Sequence, residues 1–134
     1  MTERDAYDEL CAYTLSRGDA QFIHQYVVDA WAAQHADEHT KPIGLAFALV
    51  GLYLGVEKNV SGREVQRAHM RLARRKRAWP PFDLPSDRGA MTAIEVMAAP
   101  AGPRRDEAIR AWCAAVWAPF SAQRAQLEAV LREQ

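Results

Sequence analysis

Three of the four histidines in this 134-residue chain fall within sixteen residues, His24-Gln-Tyr-Val-Val-Asp-Ala-Trp-Ala-Ala-Gln-His35-Ala-Asp-Glu-His39. Imidazole titrates near neutrality and is a common metal ligand, so this stretch is where acid–base or metal chemistry would concentrate. His24 and His35 are eleven residues apart, close to three helical turns. They therefore leave one helix in the same direction, about 16 Å apart along its axis. That separation excludes a single ion held by both from this helix alone. Both flank Val28 and Trp31 at the edge of the apolar arc, and the plainer reading is a pair of half-buried histidines at the core edge. His35 and His39 have the i, i+4 spacing that can hold one ion, but Pro42 keeps Lys41 out of helical geometry and puts His39 at or past the helix end. Carboxylates at Asp29, Asp37, Glu38 and Glu57 could add ligands only if other helices bring them in. Neither Glu-x-x-His nor His-Glu-x-x-His occurs.

Other candidates are weaker. Seven Arg/Lys stand against one acid in residues 61–77. Arg63, Arg67, Arg71 and Arg74 lie near one helix face and could follow phosphates. No aromatic residue is interleaved with them and the chain is neutral overall, 17 basic against 17 acidic residues. A solvated face is the better reading, and nucleic acid is disfavoured as a partner. Trp79-Pro-Pro-Phe82-Asp-Leu-Pro-Ser-Asp-Arg-Gly89 is an aromatic loop braced by prolines, suited either to roof a pocket or to cover the bundle end. Nucleophilic catalysis has no support. Neither Cys11 nor Cys113 has a cationic or histidine neighbour in sequence, and there is no Gly-x-Ser-x-Gly or phosphate-binding glycine loop.

The elements that must position these residues are helical. Apolar residues recur at helical spacing nearly everywhere, and no segment alternates with period two. Helix one runs from about Thr2 to Arg17 and stops at Gly18. Asp19 is then expected as the N-cap of helix two, which ends near Asp37. Pro42 opens helix three, whose residues from about 43 to 58 are apolar on all sides, so other helices must surround it. Gly51 and Gly55, four apart, give it a face that a neighbour can approach closely. Capping boxes at Ser61–Glu64 and Thr92–Glu95 open helices four and five. A last helix from Arg104 to about Arg132 contains Pro119, which must kink or divide it. The expectation is an all-α fold, a single domain over residues 1–134, with five or six helices around the central apolar one.

Composition sets the remaining bounds. Nearly half the residues are apolar and a quarter charged, as in ordinary globular proteins. Residues 1–40 hold eight acids against Arg4 and Arg17, so the molecule is dipolar. Two distant cysteines suit free thiols in a reducing compartment. No basic-then-apolar leader pattern follows Met1, and the longest apolar run, Ile43–Val56, is shorter than the roughly 20 residues a membrane span needs. A cytoplasmic protein is expected.

With the helices placed, three segments carry a resemblance: His24-Gln-Tyr-Val-Val-Asp29-Ala-Trp-Ala-Ala-Gln34-His35, then Trp79-Pro-Pro with Gly89-Ala-Met-Thr92, then Ala111-Trp112-Cys-Ala-Ala-Val116-Trp117. The chain resembles an uncharacterised bacterial family of small helical domains, whose most specific mark is His-x4-Asp-x4-Gln-His. Its members often begin with a Cys-x-x-Cys-Gly segment that suggests zinc. The present sequence does not contain that segment, although Cys11 could match the family's next cysteine. The resemblance implies a helical fold and draws attention to His24, Asp29, Gln34 and His35, and it supplies no reaction.

These readings combine into a helical module of unassigned biochemical role. It is expected to bind a protein or small ligand near His24, Asp29, Gln34, His35, Trp79 and Phe82, with no cofactor. The alternative is a divalent-metal enzyme, zinc for example, using His24 or His35 with neighbouring carboxylates, or the pair His35 and His39. A homo-oligomer is compatible with either.

Overall fold

The computed structural model describes residues 1–133 and is all-helical there. Its elements in order are α1 (Glu3–Ser16), α2 (His24–Gln34), α3 (Pro42–Glu57), α4 (Gly62–Ala73), α5 (Ala93–Ala98), α6 (Pro103–Phe120) and α7 (Arg124–Arg132). The expected last helix is divided. Pro119 lies one residue before the end of α6, and a 3-10 turn, Ser121–Gln123, redirects the chain into α7. The interior proline removes an amide from the ladder and forces the break there.

α3 is the central helix. Residues Leu45, Ala46 and Ala48 through Tyr53 are buried on every side, against α2, α4, α6 and α7. Its first turn, Pro42 to Gly44, and its last residue, Glu57, are exposed, and Leu54 to Val56 are half-buried. Trp112, Phe120, Leu10, Leu49, Leu52 and Leu72 are the largest fully buried side chains, so α1, α3, α4 and α6 share one core. α1 lies against α2 and α5.

Gly51 and Gly55 do face one neighbour, and it is α2. A methyl group at Gly51 would overlap the Asp29 carboxylate, and one at Gly55 would sit 2.8 Å from the Tyr26 ring. The two glycines therefore let the α2 backbone come closer than any side chain would permit, which offsets their cost in helix propensity.

Several boundaries move from the sequence expectation. α2 starts at His24 rather than directly after Asp19. The Gln21 carbonyl, which a longer α2 would use internally, accepts instead from the Arg63 amide at the start of α4 (2.9 Å), and Phe22 has φ +54°. Asp19 Oδ1 still accepts from the Ile23 amide, at 3.4 Å. The Ser61 box is half formed. Ser61 accepts from the Glu64 amide (3.2 Å), while the Glu64 carboxylate turns to Arg67. At Thr92 the Glu95 carboxylate does reach back, accepting from the Thr92 amide. Leu15 and Leu84, apolar as they are, are exposed.

The glycine face gives a paired prediction. Gly51→Ala should cost about 2–3 kcal/mol in urea unfolding, because the new methyl has only the buried carboxylate to displace. Gly44→Ala meets nothing nearer than 3.9 Å. It should stabilise by about 0.5 kcal/mol through helix propensity.

Candidate functional site

The four residues of the α2 string do not converge. At about 100° per residue, five positions turn the side chain about 140°, ten about 280° and eleven nearly back to the start. His24 and His35 accordingly face α1, Asp29 faces α3, and Gln34 faces α6 and the loop that precedes α5.

His24 Nδ1 lies 2.9 Å from Thr14 Oγ1 in α1. The same hydroxyl lies 2.9 Å from the Leu10 carbonyl, and when it donates there it can accept from an Nδ1-protonated His24. The ring is half-buried, and burial lowers its pKa. His35 stands at the other end of the same face. Its ring lies tilted by 32° against Trp31 at 3.8 Å between centroids, Trp31 stacks on Tyr7 at 4.4 Å, and His35 Nε2 is 3.6 Å from the Glu3 carboxylate. Burial lowers the His35 pKa, opposed by Glu3 and reinforced by the Arg88 charge. His39 lies past the end of α2, exposed beside Glu38. The helical register that would pair it with His35 does not exist.

Gln34 is a buried three-way staple. Its Nε2 donates to the carbonyls of Arg88 (3.1 Å) and Met91 (2.7 Å), and its Oε1 accepts from Trp112 Nε1 (3.0 Å). Arg88 completes the junction. It donates to the carbonyls of Ala33, Gln34 and Ala36, and to that of Pro85. A cation thus satisfies the last carbonyls of α2 at the negative end of its dipole. Sequence reading missed Arg88. The only available signal was a lone cation in the loop next to Gly89, which nothing in sequence tied to α2.

Asp29 is fully buried. Its Oδ1 accepts from Gln25 Nε2 at 3.2 Å, and its Oδ2, held against Gly51, has no hydrogen-bond partner. Burial lifts its carboxyl well above the usual carboxylate range, only partly countered by Gln25. On the α6 side its field reaches the Cys113 thiol, itself buried and raised. That thiol donates to the Tyr26 carbonyl at 3.5 Å.

The two loop aromatics take up other places. Trp79 packs edge-on against Phe47 of α3 at 5.3 Å, with the Arg77 guanidinium over its ring, and Phe82 is buried in the core. Phe47 also holds His69, whose Nε2 is 2.7 Å from the Phe47 carbonyl. Burial lowers the pKa of His69. Among the described residues no group of three or more His, Cys, Asp or Glu side chains is placed to hold a metal ion, and both cysteines are free. No helix there is long and apolar enough to cross a membrane.

Two outcomes follow from these geometries. The folded chain holds the Asp29 proton more tightly than the unfolded chain does. Its contribution to stability is greatest below the unfolded value near 3.8 and is lost as the pH rises toward the elevated folded value. Asp29→Asn keeps the shape and removes the titration, so thermal unfolding between about pH 4 and 8 should show it more stable than wild type at neutral pH and flatter with pH. Gln34→Glu replaces a donor facing two carbonyls with an acceptor. It should cost more than about 2 kcal/mol at neutral pH and recover part of that in acid, where the protonated carboxyl can donate again.

A family model described as a family of unknown function, DUF5946, matches residues 4–121. No curated protein matches the chain, and no solved structure does. The match runs from the first turn of α1 to just past the end of α6 and includes every residue of the α2 string and of the loop, while Glu3, the partner of His35, lies just before it. The chain belongs to this family of unknown function.

Proposed function

We propose that this chain is a non-catalytic binding module of the cytoplasm whose α1–α2 edge docks a basic segment of a protein partner. The observation that carries the reading is the ladder of three rings, Tyr7, Trp31 and His35, which is half open to solvent and ends at the Glu3 carboxylate. Flat aromatic faces beside a carboxylate suit a guanidinium or ammonium on an apolar stem. Arg17 pairs with Asp106, and Arg4, paired with Asp8, lies over the Tyr7 ring at 5.7 Å, so the part of the ladder left to a partner is the His35 end beside Glu3. Complementary charge would speed encounter and set orientation. Of the loop, it is the Arg88–Met91 end that supports this edge, by holding the last turn of α2 in place through Arg88 and Gln34.

The rival reading, a divalent-metal enzyme, would need His24 or His35 to meet carboxylates from other helices. His24 is bonded to Thr14, Asp29 faces α3, and His35 has Glu3 alone at 3.6 Å. This geometry favours binding over metal chemistry.

An arginine-rich peptide titrated into isotopically labelled protein should perturb His35, Trp31 and Glu3 in a salt-sensitive way, and an acidic peptide of equal length should not. Glu3→Gln should weaken binding about threefold to tenfold. Acidification that protonates His35 should weaken it further, because His35 then repels the partner. Equal binding of both peptides, or perturbations confined to other faces, would overturn the reading.

A further inference from the structure

A second concave site lies on the far side of α2, away from the histidine edge. Between α2, α3 and α6 is a cleft of about 180 Å³. The Tyr26 ring, Gly55, Val56 and Ala114 form its walls, and Cys113 lies at its base. Room for about six water-sized groups at roughly 30 Å³ each sets the size of an occupant. The base is uncharged, since burial keeps the Cys113 thiol protonated and it donates to the Tyr26 carbonyl. Gly55 keeps the wall open. Any side chain there would run into the Tyr26 ring, which is itself fixed by its hydroxyl donating to the Val60 carbonyl.

The mouth is polar and carries one positive charge. Arg110 and Asn59 line it, with the Arg110 guanidinium over the Tyr26 ring, 5.2 Å from its centroid. One helical turn earlier on α6, Asp106 is the carboxylate that would ordinarily pair with Arg110. It is already taken by Arg17 and by the Tyr13 hydroxyl at 3.0 Å. Among the described ion pairs Arg110 has no carboxylate of its own. The neighbouring hollow, which shares Tyr26 and Arg110, is lined by Arg17 and Asp106, which pair with each other, and by Asp19. An apolar slot of limited size therefore opens under a guanidinium that lies over the Tyr26 ring and has no carboxylate partner among the described ion pairs.

We infer that this cleft binds a small carboxylate with a compact apolar body, its carboxylate on Arg110 and Asn59 and its body against Val56, Ala114 and Cys113. Guanidinium and carboxylate match as a two-pronged hydrogen-bonded pair. A single guanidinium at the mouth matches a monoanion better than a phosphate dianion, which prefers several cations. The apolar walls supply the remaining affinity and reject highly hydrated ions. This site is independent of the α1–α2 edge, because no residue is shared between them.

Benzoate, benzyl alcohol and inorganic phosphate, titrated separately into the labelled full chain, test the inference. Benzoate should shift the resonances of Gly55, Asn59, Arg110 and Cys113, and should bind at least tenfold more tightly than benzyl alcohol, a difference of about 1.4 kcal/mol. Arg110 is exposed, so Arg110→Gln should leave thermal stability unchanged while removing that tenfold preference. Ala114→Leu, also at an exposed position, should fill the slot and weaken benzoate and benzyl alcohol alike. Benzoate shifts elsewhere, phosphate binding as well as benzoate, or benzoate affinity unchanged in Arg110→Gln would each overturn it. Perturbation of His35 by arginine-rich peptide is unaffected by either variant, so failure here and failure at the α1–α2 edge are read separately.

Discussion

Helix α2 can serve as the organising element only because α3 offers it a face without side chains. With Gly51 under Asp29 and Gly55 under Tyr26, the two backbones approach to a distance that alanine would already forbid. Close packing of this kind is bistable rather than compliant, since displaced atoms have no void to enter. That approach also fixes the direction in which each other residue of α2 projects. Tyr26 reaches the Val60 carbonyl just past the end of α3, Gln34 reaches Trp112 and the loop, and the two histidines lie along α1. Moving α2 outward by the thickness of one methyl would loosen all of these together.

Charge is distributed on a different principle from packing. The acidic end of the chain forms α1 and the turn after α2. The basic run forms α4 and the non-helical segment beyond it, where Arg75 and Arg77 reach Glu133. α1 packs on α2 and α5, while α4 packs on α2 and α3, so the acidic and basic helices do not use one another as main packing partners. Inside, Asp29 Oδ2 and Arg77 Nε are buried without a hydrogen-bond partner. Arg88 is the informative contrast, because even a half-buried guanidinium is costly unless carbonyls take up its hydrogens. Four carbonyls do so, and in return the cation closes the end of α2. The three prolines before it reduce the conformational freedom that the loop must lose to be held there.

Much of the fold was legible because it rests on local rules. The all-apolar run announced a surrounded helix, the spacing of Gly51 and Gly55 announced a close neighbour, and Pro119 announced a break. What was not legible depends on contacts distant in sequence. The start of α2 is set by the Arg63 amide claiming the Gln21 carbonyl. Glu64 prefers Arg67 to its own helix start, and Arg88 finds α2 across more than fifty residues. At the candidate site the common direction of His24 and His35 followed from helical geometry. The burial of Asp29 and the three bonds of Gln34 did not, because nothing local says which neighbour each side of a helix will meet. The Arg110 cleft was invisible for the same reason, being built from α2, α3 and α6 at once.

The dispersal of the α2 string bears directly on what such a molecule can do. Catalysis by acid, base or metal requires several groups within hydrogen-bonding or coordination reach of one reacting atom. A spacing of five, five and one on a helix sends its residues to three different neighbours, and each of them engages its residue separately. Thr14 holds one histidine, the glycine face of α3 receives the carboxylate, and the Trp112 indole and two loop carbonyls saturate the amide. Such a pattern specifies how α2 sits among α1, α3, α6 and the loop, which is a requirement of architecture. The groups left with unspent capacity are at the margins of that architecture: the open face of the ring ladder with Glu3, and the guanidinium of Arg110. On the proposed reading both recognise a charge on an apolar body, and the two surfaces call for ligands of opposite sign.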